Sequence, residues 1–192
     1  MERREFFRRG LQKAASHSAS AISRAQKTLR WVRPPHALPE MHFLVTCTRC
    51  GDCVSACPHQ VIFKLPEKTD RLAAGTPALD LLKRGCHLCP DTPCVTACEP
   101  GALIIPDGEN PPPYKLAIVT IDEEVCLPYS GPECGACSGS CPVPDALQWL
   151  SGGRPVIDAE KCVGCALCRE ACIVTPNAVK VAPSPHRNSV SI

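Results

Sequence analysis

The sequence predicts an α+β fold assembled from small cysteine-rich repeats, with short β-hairpins and helices behind a basic N-terminal helical tail. Three observations support this prediction. The 192 residues contain 16 cysteines, and all of them fall into four groups of four. Short apolar runs flank these groups, which is typical of brief strands in hairpins. Aromatic residues make up only 4% of the chain and prolines number 21, so a conventional hydrophobic core would be thin and bound groups must contribute to stability.

The first 38 residues are interpreted as a basic amphipathic tail. Residues 1–40 contain nine Lys and Arg against three Asp and Glu, although the net charge of the whole chain is only +2. Apolar side chains recur at steps of three or four through residues 7–30, which is helical periodicity. Such a helix would bind a partner protein or make peripheral contact with an anionic membrane; a solvated extension is the alternative. Pro34 and Pro35 lack backbone donors and end the pattern.

The start of the chain shares one feature with exported proteins. Arg3 and Arg4 precede Phe6 and Phe7, which resembles the start of a twin-arginine export signal. An export signal also needs an apolar segment, whereas residues 14–23 are mostly Ala and Ser. We therefore expect the tail to be retained and the protein to be cytoplasmic, with cleavage and a periplasmic location as the alternative. The sequence has no run of about 18 apolar residues, so no transmembrane helix is predicted.

From residue 39 onward, the chain is predicted to consist of four repeated motifs with one cysteine group each. The motifs are expected at residues 39–68, 77–109, 117–150 and 153–183. Every group ends in C-x3-C, although the spacing before that pair varies. The groups are Cys47, Cys50, Cys53 and Cys57; Cys86, Cys89, Cys94 and Cys98; Cys126, Cys134, Cys137 and Cys141; and Cys162, Cys165, Cys168 and Cys172.

Short apolar runs between the groups predict the strands. We expect these strands at residues 61–63, 102–105, 116–121 and 154–158. The stretch before the second group, residues 76–85, is predicted to be a helix or a turn. Between the second and third groups, a segment rich in Pro and Gly predicts a loop.

All sixteen cysteines are predicted to be iron ligands. Disulfides belong to oxidising compartments and do not explain a repeated spacing, and zinc usually takes two separated C-x2-C pairs. Group 1 instead has the spacing C-x2-C-x2-C-x3-C followed by Pro58, which is a bacterial signature for [4Fe–4S] clusters. Four related groups predict four [4Fe–4S] clusters. His59 and His87 lie near cysteines but are not expected to be ligands, because every group already has four thiols.

The spacing within a group has a physical reason. Three cysteines on one loop can surround a cluster while backbone N–H groups point at the sulfurs, and those hydrogen bonds help to set the reduction potential. Gly51, Gly164 and Ala166 are small enough to let the backbone come close. In C-x3-C, the last two cysteines stand one helical turn apart, so the fourth can serve a neighbouring cluster.

The repeats resemble the ferredoxin-type NapG/MauM/NapF family of polycluster electron-transfer proteins. The resemblance covers about residues 31–182. It is carried by residues 74–103 with their C-x2-C-x4-C-x3-C spacing and by residues 126–141 with C-x7-C-x2-C-x3-C. It implies two ferredoxin-like 2[4Fe–4S] modules that pass electrons between a donor and a respiratory oxidoreductase. A periplasmic nitrate reductase-like system, a molybdoenzyme or a quinol-oxidising membrane subunit would be the partner.

The resemblance also implies how the groups combine. Families with this order pair groups 1 and 4 in one module and groups 2 and 3 in the other. The fourth cysteine of each group then completes the cluster of its nested partner: Cys57 serves group 4, Cys172 group 1, Cys98 group 3 and Cys141 group 2. Sequential pairing, 1 with 2 and 3 with 4, is the alternative that spacing leaves open.

A second functional hypothesis is a cytoplasmic assembly factor that binds the catalytic subunit of a molybdoenzyme before export. Neither hypothesis makes the chain an enzyme: the sequence has no phosphate-binding loop and no nucleophile elbow, and no catalytic residues are proposed. Redox proteins are the expected partners in both, and no nucleic acid is expected.

Overall fold

The computed structural model describes residues 31–106 and 114–184. Most of the predicted tail, residues 1–30, lies outside the described residues, so its helix and the cellular location inferred from it stay predictions. We call residues 31–106 the N-half and residues 114–184 the C-half. No helix in either half is long and apolar enough to cross a membrane.

The described residues form short helices and short strands, which confirms the α+β class. The helices are α1 (Glu40–Thr46), α2 (Asp52–Ser55), α3 (Pro93–Thr96), α4 (Leu127–Ser130) and α5 (Leu167–Glu170). The strands are β1 (Ile62–Lys64), β2 (Pro77–Leu79), β3 (Ala117–Ile121), β4 (Leu147–Leu150), β5 (Arg154–Ile157) and β6 (Val179–Pro183).

The two halves repeat one topology. Each contains an antiparallel hairpin between its two cysteine groups: β1 pairs with β2 in the N-half, and β4 pairs with β5 in the C-half. In the C-half, β3 and β6 pair around this hairpin from Ala117↔Pro183 to Ile121↔Val179. In the N-half, the corresponding outer pairing is a single bridge between Ala37 and Leu103. Each hairpin therefore folds two consecutive cysteine groups back toward one another.

Local sequence predicts some of these strands better than others. The strands expected at 61–63, 116–121 and 154–158 are observed as β1, β3 and β5 within one residue at each end. The run at 102–105 forms only the bridge at Leu103. The stretch at 76–85 contains strand β2, because pairing with β1 overrides its helical composition. Strands β4 and β6 were not predicted. The partner of β6, strand β3, lies in a distant part of the chain, whereas β4 pairs with the adjacent β5.

The core is built partly from the cysteines themselves. In the N-half, Phe43 and Leu65 are almost fully buried, and they belong to a cluster that also contains buried thiols. The thiols in that cluster include Cys47, Cys53 and Cys86. Apolar side chains and predicted iron ligands thus share one interior, in agreement with the low aromatic content.

The body begins before the predicted tail boundary at residue 38. Trp31 starts the compact unit, and Val32 bridges to Leu79 of β2. Arg33 is fully buried and forms a bidentate ion pair with Glu40, with N–O distances of 2.6 and 3.0 Å. Residues 31–38 therefore pack with the body, and the tail as a separate segment stays a prediction. A basic residue beside two prolines has the composition of an exposed linker, and only the fold supplies its buried partner.

Candidate metal centres

Site I consists of the first three thiols of group 1 and the last thiol of group 2: Cys47, Cys50, Cys53 and Cys98. All four line one cavity. Burial, followed by the charges of Cys98, Cys47 and Cys50, raises the pKa of Cys53 to about 11. Helix α2 carries Cys53, while Cys50 is exposed.

Site II is the reciprocal set in the N-half: Cys86, Cys89, Cys94 and Cys57. These four thiols also line one cavity. Burial, followed by the charges of Cys86 and Cys57, raises the pKa of Cys94 to about 12. Helix α3 carries Cys94, just as α2 carries the third cysteine of site I.

Site III combines the first three thiols of group 3 with the last thiol of group 4: Cys126, Cys134, Cys137 and Cys172. A third cavity is lined by all four. Burial raises the pKa of Cys137, and the charges of Cys126, Cys172 and Cys134 raise it further. Cys126 precedes α4, whose residues occupy the longer spacing between the first two thiols of this group.

Site IV completes the set with Cys162, Cys165, Cys168 and Cys141. Burial, followed by the charges of Cys165, Cys162, Cys137 and Cys141, raises the pKa of Cys168 to about 12. Burial also raises the pKa values of Cys162 and Cys165, and among the other thiols Cys141 adds the largest increase in each case. Each of the sixteen predicted ligands thus belongs to one four-thiol site.

This arrangement differs from the nested pairing that the resemblance implied. Cys57 lies with group 2 rather than group 4, and Cys98 lies with group 1 rather than group 3. The same exchange links groups 3 and 4 through Cys141 and Cys172. The physical reason is the hairpin between consecutive groups, which brings them together, while the C-x3-C turn directs the fourth thiol at the adjacent site. Pairing in the structure is sequential.

The spacing of the thiols fits a cage better than a single ion. No set of three or more His, Cys, Asp or Glu residues in residues 31–106 and 114–184 is gathered tightly enough to hold one metal ion. The thiols of a site nevertheless interact through their charges and share a cavity. A [4Fe–4S] cluster needs this wider arrangement, because each of its irons takes a single thiolate.

The raised pKa values of the thiols indicate that the sites require bound positive charge. Burial and mutual repulsion disfavour the thiolate form, yet the thiolate is the form that binds metal. A bound cation reverses this preference, since metal charge stabilises coordinating thiolates and binding releases their protons. The backbone therefore holds each set of sulfurs in a geometry that is unfavourable until positive charge is bound among them.

Backbone N–H groups point at the sulfurs, as expected. Leu88 N–H lowers the pKa of Cys86 and Gly164 N–H lowers that of Cys162, although burial outweighs both. Leu103 N–H donates to Cys98 Sγ at 3.3 Å. Such hydrogen bonds stabilise charge on the sulfur and tune a cluster's potential.

Gly164 is required by its backbone conformation and by the close approach of strand β3. Its φ is +75°, and a Cβ atom there would lie 2.0 Å from the carbonyl oxygen of Ala117 in β3. Both the backbone conformation and the neighbouring strand therefore exclude a side chain. Close approach of the glycine serves strand packing as well as the cysteine loop.

Two basic residues that sequence reasoning missed brace the loop of site I. The Lys64 ammonium donates to the carbonyl oxygens of Arg49 and Cys50 at 2.7 and 2.9 Å. The Arg49 guanidinium donates to the carbonyls of Leu72 and Ala74, both at 3.0 Å. No local motif identifies this role, because the acceptors are backbone atoms brought close by the fold.

The two histidines near the cysteines contact each other. His59 and His87 stack with ring centroids 3.5 Å apart and planes inclined by 7°. Both rings line the cavity of site II. Since four thiols already surround that cavity, the histidines form part of its wall and remain predicted non-ligands.

Comparisons with known proteins agree with this chemistry. Residues 46–102, which contain sites I and II, match the family model of a 4Fe-4S dicluster domain. The chain is 35% identical to a methylamine utilization ferredoxin-type protein MauM of Methylorubrum extorquens, over 86% of this chain and 79% of that protein. It is 33% identical to the ferredoxin-type protein NapG of Escherichia coli, over 94% and 85% of the two chains. Ferredoxin-type protein NapF of Escherichia coli is 31% identical over 84% and 92%.

A cysteine-rich α+β body with a dicluster domain defines an iron–sulfur protein of the ferredoxin type. The chain belongs to the ferredoxin-type family that includes MauM, NapG and NapF. It is accordingly an electron-transport protein that binds [4Fe–4S] clusters.

Sequential pairing makes a specific prediction about Cys98. We expect Cys98→Ser to change the spectrum of the cluster in site I, because this thiol lies with Cys53. The EPR difference spectrum of reduced Cys98→Ser should therefore resemble that of Cys50→Ser. Cys134→Ser is the matched control, since nested pairing would put Cys98 with group 3. A Cys98→Ser spectrum that follows Cys134→Ser would contradict sequential pairing.

Proposed function

We propose that this protein is an electron carrier with four [4Fe–4S] clusters, two in each half. One observation carries the proposal: all sixteen thiols are divided among four sites, and each site takes three from one group and the fourth from its neighbour. This reciprocal exchange makes each half a two-cluster module. The dicluster match over residues 46–102 supports the first module.

The residues of each site supply what a carrier needs. A [4Fe–4S] cluster supplies one-electron transfer when bound. Four thiolates would hold it, and N–H donors such as Leu103 stabilise charge on the sulfurs. Buried neighbours such as Phe43 in site I and Val179 in site III limit access of water. A fixed shell of this kind lowers the rearrangement that accompanies a change of charge.

The residues that line the cavities also favour an electron carrier over a catalyst. The cavities at sites I, II and III are lined by the thiols themselves. A cofactor that transforms a substrate needs a shaped pocket beside its reactive atom, whereas these cavities would be filled by the clusters. We propose a second redox protein as partner, belonging to a respiratory oxidoreductase system as the relationship to NapG and MauM favours.

Iron and sulfide analysis tests the four-cluster proposal. Anaerobically purified protein should contain about 16 irons and about 16 acid-labile sulfides per chain. EPR of the reduced protein should show [4Fe–4S] signals. The control is Cys134→Ser, which should disturb site III and leave the N-half signals in place. A reproducible value of about eight irons in fully reconstituted protein would limit the chain to one two-cluster module.

A further inference from the structure

The two halves meet where the loop before group 2 contacts the loop and helix of group 4. Cys86 N–H donates to the carbonyl oxygen of Cys165 at 2.8 Å. Immediately before it, Gly85 N–H donates to Glu170 Oε2 at 2.7 Å. Arg169 Nε donates to the carbonyl oxygen of Leu82 at 3.1 Å. Residues 82–86 of the N-half are therefore held against α5 and the loop before it.

This junction joins a ligand of site II directly to a ligand of site IV. From the Cys86 sulfur, a direct route runs through its own Cβ, Cα and N–H, across one hydrogen bond, and then through the carbonyl group, Cα and Cβ of Cys165 to its sulfur. The route contains only covalent bonds of the two ligands and one hydrogen bond. After burial and the thiols of site IV, the charge of Cys86 also raises the pKa of Cys165.

The other neighbouring sites are connected within each half. Cys53 of site I and Cys57 of site II stand one helical turn apart at α2, and Cys94 of site II and Cys98 of site I do the same at α3, which places sites I and II side by side. In the C-half, Cys168 of site IV and Cys172 of site III stand one turn apart at α5. The contacts thus form a row in which sites II and IV are central and sites I and III are terminal.

We propose that electrons cross between the halves at the Cys86–Cys165 contact. They would pass through the four sites in the order I, II, IV, III or in the reverse order. This inference rests on the proposed function. The order in space differs from the order in sequence because the C-half presents its last cysteine group, not its third, to the N-half. Electrons would enter and leave at sites I and III.

Gly85 is the positioning residue of this crossing. It is buried at the junction, and a Cβ atom there would lie 2.7 Å from the backbone nitrogen and 2.8 Å from the Cα of Leu167. A backbone that starts α5 cannot move aside as a flexible side chain would. Any larger residue must push the Cys86 loop away from Cys165, although the four ligands of site II all lie within the N-half.

Tyr114 covers the same crossing. Burial, followed by the charges of Cys86, Cys165, Cys94 and Cys89, raises its pKa to about 12. Its ring lies 4.5 Å from that of His36, between centroids. Tyr114 is half-buried and lines the cavity of site II, so its ring helps to exclude water from that central site.

The experiment compares Gly85→Val with Lys83→Val in the full-length protein. Lys83 lies in the same loop, but its side chain is 83% exposed, so the control adds the same branched group without touching the C-half. We expect Gly85→Val to keep the native iron content while the dipolar coupling between the reduced clusters of sites II and IV, measured by pulsed EPR, becomes weaker because the two sites move apart. Coupling within each half should persist. Hydrogen exchange at the Cys86 amide should become faster, which reports the junction independently of redox activity.

The outcomes separate this inference from the proposed function. Native iron content with unchanged II–IV coupling in Gly85→Val would overturn the crossing point, while a low iron content in the unmodified protein would overturn the four-cluster function instead. If Gly85→Val loses iron, Glu170→Ala provides the second test, because it removes the acceptor of Gly85 N–H without adding volume. Faster exchange at Cys86 together with weakened II–IV coupling in Glu170→Ala supports the crossing, and faster exchange with native coupling contradicts it.

Discussion

Removing the clusters is expected to abolish the compact fold. The helices that carry the third cysteines of sites I, II and IV, α2, α3 and α5, have four residues each. Isolated helices shorter than about 12 residues are marginal in water. The sheets have two strands each, and an isolated two-stranded hairpin is likewise at best marginally stable. Regular secondary structure therefore contributes little stability of its own.

The interior explains why the loss should be complete rather than partial. Buried thiols such as Cys53 and Cys94 occupy the core among apolar side chains, and they surround the cavities that the clusters would fill. Without a cluster, each cavity is either solvated or collapsed, and both states lose packing. Metal binding in small metal-dependent domains is for this reason part of the folding free energy.

Anaerobic and oxidising samples test this expectation directly. Chelation of iron under oxidising conditions, followed by reduction of any disulfides, should yield a chain without a cooperative thermal transition and with an expanded hydrodynamic radius. Protein carried through the same steps without chelator and oxidant is the control. Retention of a cooperative transition after complete loss of iron would show that the polypeptide core alone suffices.

Replacing Arg33 should cause the largest loss of stability from a single side chain outside the ligands. Arg33 is fully buried and donates to Glu40, to Thr76 Oγ1 and to the carbonyl oxygen of Pro77. Its guanidinium also lies 4.7 Å from the centre of the Phe43 ring. Arg33→Ala would leave the Glu40 carboxylate buried without its partner, and breaking a buried pair in this way costs about 3–5 kcal/mol.

Anaerobic guanidinium denaturation, followed by the visible absorbance of the clusters, measures this effect. Arg33→Ala should lower the midpoint strongly, and Arg33→Met combined with Glu40→Gln should recover part of the loss, since no buried charge then remains. Lys83→Ala is the surface control, because its pair with Asp80 is exposed and such pairs contribute about 0–1 kcal/mol. Equal midpoints for Arg33→Ala and Lys83→Ala would contradict a structural role of the buried pair.

The site chemistry was readable from sequence because most of its information is local. Within one group, the spacing of Cys47, Cys50 and Cys53 places three sulfurs on a single loop, and the following proline completes a known signature. No distant contact is needed to recognise that pattern. For the same reason, the strands at β1, β3 and β5 followed from short apolar runs.

Contacts between distant segments decided the remaining features. The site to which each fourth cysteine contributes depends on which groups a hairpin brings together. The C-x3-C spacing alone does not distinguish sequential from nested pairing. Arg33 becomes a buried anchor only because the fold brings Thr76 to it and covers its pair with Glu40. The junction at Gly85 depends on backbone atoms of Leu167, far along the chain. Local spacing thus determined what the protein binds, while long-range packing decided which thiols share a site and how the sites are connected.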